Sequence, residues 1–161
     1  MLKVIESDLF SQPVDVIITS CNCFNTMGGG VAWVIRQEYP GAWQADQNTI
    51  KGDRSKLGTF TSWTGNHARL PNRTVTIVNL YGQYDYGTNK VNADYDAIKR
   101  GLEAVNRTFT NNVIGLPFAG AGLAKGSPVV LFSIFKEVFD NSPNQVFLCL
   151  RHGEFTEFLG K

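Results

Sequence analysis

The sequence predicts an α/β fold, a three-layer α/β/α sandwich around a central mixed sheet, and two observations carry that prediction. Short apolar runs of strand length alternate along the chain with segments whose apolar residues recur at helical spacing. In addition, Val14–Ser20, Val113–Leu116 and Val146–Leu150 are apolar almost without a break, as expected of central strands covered by helices on both faces.

Taken in order, Leu2–Ile5 and Val14–Ser20 read as strands. Val31–Tyr39, which follows Gly28–Gly30 and stops at Pro40, reads as a helix, and Ala42–Ile50, which stops near Gly52, as a second. Gly58–Trp63 and Thr74–Leu80 return to the strand pattern. Asp94–Phe109 carries Tyr95, Ile98, Leu102 and Val105 at helical spacing, Val113–Leu116 is a strand, Val129–Phe139 a helix closed by a turn with Pro143, and Val146–Leu150 a last strand. Asp53–Lys56, Asn66–Arg73 and Tyr84–Asn92 read as flexible loops, and the tail 151–161 brings Phe155, Phe158 and Leu159 for packing an amphipathic turn.

Length and composition bound the function. A chain of 161 residues with 43% hydrophobic content can bury one core without disulfides or metal staples, so residues 1–161 are expected to form one domain. The net charge is +1 with both signs interspersed, which leaves no long-range field to capture nucleic acid or a membrane surface; a small ligand or a local protein contact is the expected partner. A monomer is the expected state. Lys3, Glu6 and Asp8 break any apolar leader and no apolar run is long enough to span a bilayer, which points to the cytoplasm. The three cysteines, Cys21, Cys23 and Cys149, fit free buried thiols, and no metal-ligand spacing or cofactor motif is present.

The chemistry concentrates where two buried strands end. The first runs out through Ser20-Cys21-Asn22-Cys23 into Met27-Gly28-Gly29-Gly30 at a helix start; the second leads through Pro117-Phe118-Ala119-Gly120-Ala121-Gly122-Leu123-Ala124-Lys125-Gly126-Ser127 into another helix. Glycines let the backbone approach a ligand closely, and a helix start presents unpaired N–H donors to anionic oxygen. Ligands in such sheets bind outside the carboxyl ends of the strands, so two such loops on one edge could grip a diphosphate from both sides. Familiar nucleotide motifs do not fit: the first loop's helix opens with Val31-Ala32-Trp33 in place of a Walker lysine and hydroxyl, and Gly120-Ala121-Gly122 has the wrong register to Gly126 for a dinucleotide fingerprint. A cysteine phosphatase is excluded because Met27 and Gly29 stand six residues after Cys21 and Cys23 where arginine is required, and Asp94-Tyr95-Asp96 reads as a helix start.

These residues resemble the macro domain family over nearly the whole chain. Glu6-Ser7-Asp8-Leu9-Phe10 is similar to the family's Gly-Asp-Ile segment, Pro13–Asn22 to its Val-Asn-Ala-Ala-Asn strand, and Gly28–Ala32 and Gly120–Gly126 to its two ligand loops. The resemblance implies a ligand of the ADP-ribose type. It implies that Asp8, beside Leu9, accepts from the adenine amino group and that Asn22 bonds the distal ribose. It further implies that Gly28, Gly29, Gly30 and Val31 line one side of the diphosphate, with Pro117, Gly120, Ala121, Gly122, Leu123 and Ala124 on the other.

Ser20-Cys21-Asn22, Tyr39-Pro40 and Asn79–Gln83 resemble the subgroup of yeast-type ADP-ribose 1″-phosphate phosphatases and similar small phage proteins, which implies metal-free removal of that phosphate. Asn22 is then the catalytic residue. Thr19 stands where the subgroup's proposed histidine lies, so Thr19, Asp85 and Asp94 are the candidates for a base, while His67 and His152 fall in a polar loop and the tail and read as solvated. Two other readings are a binding module without turnover and a hydrolase of ADP-ribosylated macromolecules, for which Asn22 is retained but the lysine and aspartate of one branch are replaced near Gly82-Gln83 and at Ala124.

Overall fold

The computed structural model describes residues 1–121 and 124–154. Within them run β1 (Leu2–Glu6), β2 (Val16–Cys21), α1 (Gly30–Glu38), α2 (Pro40–Gln47), β3 (Phe60–Asn66), β4 (Thr74–Tyr81), α3 (Tyr95–Thr108), β5 (Val113–Leu116), α4 (Pro128–Phe139) and β6 (Gln145–Leu150). The strands form one six-stranded sheet in the order β1-β6-β5-β2-β4-β3, with every neighbouring pair parallel except β3 against β4. The expected mixed sheet is therefore present, with its single reversal at one edge.

Strand periodicity sorts the core into two layers. Ile17, Cys21, Ile77 and Tyr81 pack with Ile35 and Tyr39 of the α1 segment and Ala42 of α2. Alternate residues of the same strands, Val16, Ile18, Val78 and Leu80, pack with Ile98 and Leu102 of α3 and Leu131 and Phe135 of α4. Burying each such aliphatic side chain contributes roughly 1.5–3 kcal/mol before conformational entropy is charged against it. Helix α3 starts where Asp94 accepts from the Ala97 amide at 3.0 Å, and its buried Ile98, Leu102 and Val105 recur every turn along one face.

The boundaries of α2 and β3 depart most from the sequence expectation, for identifiable reasons. Pro40 ends α1 and also opens α2, since a proline in a first turn loses no helical hydrogen bond. Helix α2 stops at Gln47 rather than Ile50 because the Thr49 amide and hydroxyl both turn back to the Asp46 carbonyl, at 3.0 and 2.6 Å. Strand β3 starts at Phe60, after a turn in which the Thr59 amide bonds the Lys56 carbonyl, and continues to Asn66 through a Thr64–Thr76 hydroxyl contact of 2.8 Å. Phe155, Phe158 and Leu159 of the tail lie outside the described residues. Among the described residues no helix is long and apolar enough to cross a membrane.

Candidate functional site

Because β1, β6, β5, β2 and β4 all run the same way, their carboxyl ends share one edge of the sheet. The segments leaving those ends line one crevice of about 1040 Å³. Ser7–Phe10 follow β1, Arg151 and Glu154 follow β6, Pro117–Ala121 with Ala124 follow β5, Asn22 and Thr26–Ala32 follow β2, and Gln83 with Tyr86–Thr88 follow β4.

The first loop is held from beneath by a buried polar clasp. Asn25 donates to the Thr49 carbonyl at 3.0 Å and its Oδ1 accepts from Lys56 Nζ at 2.7 Å, while Gln47 donates to the Asn25 carbonyl at 2.7 Å. Lys56 is itself buried, with its second donor on Thr49 Oγ1 at 2.9 Å and its ammonium 5.3 Å from the Tyr81 ring centre. On this rigid support Asn22 forms a local turn: its Oδ1 accepts from the Phe24 amide at 2.8 Å and its Nδ2 donates to Thr26 Oγ1 at 2.6 Å. One lone pair on Oδ1 and one hydrogen on Nδ2 remain for a ligand. Gly29 then caps α1 in an extended conformation with no side-chain bond, so the first N–H groups of the helix have no partner within it, and Gly29–Ala32 line the crevice.

The second loop folds back on itself through the Gly126 amide, which donates to the Gly120 carbonyl at 2.7 Å. Gly120 sits at φ +87°, where a Cβ would lie 2.7 Å from Ile98 Cδ1, so both backbone and packing demand glycine. The Ala121 amide is bonded to the Phe118 carbonyl at 3.2 Å. Ser127 ends the loop by capping α4, and its amide donates to the Tyr95 hydroxyl oxygen at 2.8 Å.

At the far end, Asp8 accepts from the Phe10 amide on Oδ1 at 3.0 Å, and from Ser11 Oγ at 3.2 Å and Arg69 Nη1 at 2.8 Å on Oδ2. Partial burial works against ionisation of Asp8, but these donors outweigh it and hold the carboxyl below its usual range. Arg69 grips Glu38 as well, through Nε to Oε1 at 2.9 Å and Nη2 to Oε2 at 2.8 Å.

The crevice gathers Asp8, Leu9, Thr19, Asn22, Gly28, Gly29, Gly30, Val31, Pro117, Gly120, Ala121 and Ala124, while Gly122 and Leu123 lie outside the described residues. Two candidate bases fall elsewhere. Asp94 is spent on capping α3, and Asp85, bonded to the Tyr86 amide at 2.8 Å, borders with Asp94 a separate shallow groove beside Arg54 and Tyr84. Thr19 is on the lining, yet its hydroxyl is enclosed and without a hydrogen-bond partner. Burial pushes the neighbouring Cys21 thiol well above its ordinary value, so no thiolate is available there. Sequence reasoning missed Arg69, Tyr86 and Cys149 on the lining; nothing local to any of them signals that position.

His67 corrects a further expectation, since it is 6% exposed rather than solvated. Its Nδ1 accepts from the amides of Arg69 at 3.1 Å and Leu70 at 3.0 Å, which requires the neutral ring, and burial lowers its pKa. With the folded value below the ordinary imidazole value of about 6.5, stability is fully present above that pH and is lost as pH falls below it. The melting temperature is therefore expected to drop between about pH 7 and pH 5, and His67→Asn, which keeps an acceptor near Nδ1, to flatten that slope. Equal slopes in the two proteins would assign the pH dependence to other groups.

No family model matches the sequence. Over 135 residues it is 31% identical to an uncharacterised 17.5 kDa protein from the tk-vs intergenic region of Enterobacteria phage T4, a match covering 79% of this chain and 83% of the phage protein. Among solved structures, the macrodomain of Thermus aquaticus DarG superimposes with a TM-score of 0.71 at 18% identity, over 92% of this chain and 97% of that one. Thermosipho africanus DarTG in complex with ADP-ribose gives 0.73 at 16% identity, covering 99% of this chain and 46% of that one. The Oceanobacillus iheyensis macrodomain with ADP gives 0.67 at 16% identity, over 99% and 87%.

Proposed function

Given that this chain belongs to the family of the phage T4 17.5 kDa protein and has the macrodomain fold, we propose that its crevice binds ADP-ribose or a close phosphorylated relative. The observation that carries this reading is the span of the crevice, from Asp8 beyond β1 past both glycine-rich loops to Asn22 beyond β2. In the sheet order β1-β6-β5-β2 those two residues are three strand spacings apart, roughly 14 Å, a fit for a base at one end, a diphosphate in the middle and a second ribose at the other. Adenine would donate its amino hydrogen to Asp8, the diphosphate would lie between the start of α1 and the β5–α4 loop, and the distal ribose would meet Asn22. Two of the solved structures, bound to ADP-ribose and to ADP, support the choice of ligand.

The reaction we assign to the site is release of phosphate from ADP-ribose 1″-phosphate. Phosphoryl transfer to water needs little covalent help, and positioning with backbone N–H donors aimed at the developing charge accounts for most of the acceleration. Asn22 would hold the distal ribose so that the ester phosphate faces the free amides of α1. A second reading, binding without turnover, is favoured by the placement of Asp85 and Asp94 away from the crevice.

Calorimetric titration with ADP-ribose tests the common premise; no heat and no rise in melting temperature would end both readings. Phosphate release from ADP-ribose 1″-phosphate then divides them. Binding accompanied by release supports the phosphatase, and binding without release leaves the binding module. Release of ADP-ribose from a modified macromolecule, with no phosphate release, would move the assignment to a hydrolase of such conjugates.

A further inference from the structure

The ion pairs around Arg69 join parts of the crevice that lie far apart in sequence. Its guanidinium meets Glu38 through two parallel bonds, a fork that fixes the plane of the group, and that leaves Nη1 for Asp8 Oδ2 at 2.8 Å with Ser11 Oγ at 3.4 Å. Glu38 is the last residue of α1, and the first turn of α1 forms the glycine-rich wall of the crevice. One short helix thus presents amides to the diphosphate region at its start and, through Arg69, holds a carboxylate at the opposite end of the crevice.

We infer that Arg69 is a positioning residue for base recognition: clamped by Glu38, it occupies Oδ2 of Asp8 and reserves Oδ1 for an amino group of the ligand's base. This inference rests on the ADP-ribose reading above. The lone-pair count supports it, because an ionised carboxylate offers about four acceptor sites. Oδ2 already receives Ser11 and Arg69, whereas Oδ1 receives the Phe10 amide and keeps one site. A carboxylate kept ionised by a cation accepts and never donates. A base with an amino group at the recognised position is welcome there, and a base with a carbonyl at that position sets acceptor against acceptor.

Each of these side chains is partly open to water, at 37%, 55% and 28% of its surface for Arg69, Asp8 and Glu38, so the pairs contribute little to stability. Their role is geometric. The two carboxylates come from different elements, and one guanidinium with its fixed fork spans both, which a lysine ammonium cannot do.

The test compares three ligands on purified protein by calorimetry: ADP-ribose, its hypoxanthine analogue in which a carbonyl replaces the adenine amino group, and ribose 5-phosphate, which has no base. The wild-type chain is expected to prefer ADP-ribose over the hypoxanthine analogue by about tenfold or more. Arg69→Met should reduce that preference by at least about fivefold, a larger change than it makes to ribose 5-phosphate binding. Arg69→Lys should fail to restore it. Glu38→Gln, which frees the guanidinium without touching the loop that carries Arg69, should shift the preference in the same direction and guards against a folding defect in the Arg69 variants. An unchanged preference in both Arg69→Met and Glu38→Gln overturns the inference. A wild-type chain that binds none of the three ligands overturns the ADP-ribose reading together with it, a failure distinguishable because it needs no variant.

Discussion

Gly29→Val is expected to weaken ADP-ribose binding by at least about 100-fold, or ~2.8 kcal/mol, while leaving the melting temperature of the free protein unchanged. The two halves of that expectation come from different observations. Gly29 has φ −154° and ψ 161°, an extended conformation that valine adopts readily, so the backbone does not resist the change. Yet Gly29 is on the crevice lining and is the residue before the unpartnered amides of α1, so a branched side chain there crowds the space an anion needs in order to reach them. Gly120→Val provides the contrast. That residue has φ +87° and meets Ile98 and Leu131 side chains, so valine should lower stability as well as affinity. If Gly29→Val binds as tightly as the wild type, the first loop is not part of the ligand site.

The second large effect concerns turnover. Asn22→Ala should reduce phosphate release from ADP-ribose 1″-phosphate by about 100-fold or more, the loss typical when one preorganised hydrogen-bonding group is removed from a hydrolase. Part of that loss could come from the loop, since the Asn22 amide also bonds Phe24 N and Thr26 Oγ1. Asn22→Asp separates the contributions. It retains an acceptor for the Phe24 amide and lacks the N–H donor to Thr26 and to the ribose alike, so a loss equal to that of Asn22→Ala, with turnover kept in Thr26→Val, which removes only the loop partner, assigns the effect to the donor facing the ribose. Turnover unaffected by either substitution would remove Asn22 from the mechanism.

The layers of the fold were open to reading from the sequence because continuous burial leaves a continuous apolar run. For Val113–Leu116 sequence and structure agree residue for residue, since that strand is covered on both faces and bounded by polar turns. Edge strand β3 was harder. Its exposure alternates, so its second half, Thr64–Asn66, carries no apolar signal. Both ligand loops announce themselves through local glycine patterns. Arg69 does not, because its partners Asp8 and Glu38 are 61 and 31 residues away and nothing in Ala68-Arg69-Leu70 encodes that meeting. His67 fails for the same reason: a histidine in a polar stretch looks solvated until the neighbouring chain is known, here the Tyr39 ring 6.4 Å away. Long-range pairing, more than local propensity, decides these positions.

The placement of β1 beside β6, with Leu2 opposite Val146 and Glu6 opposite Leu150, also constrains how the molecule is made. A nascent chain emerges with its first strand orphaned, and that strand has nothing to zip against until residues 145–150 have left the ribosome. Until then β1 lacks its ladder partner, and closure of this ladder is a late step in the folding of residues 1–150, as expected for contacts of such high sequence separation.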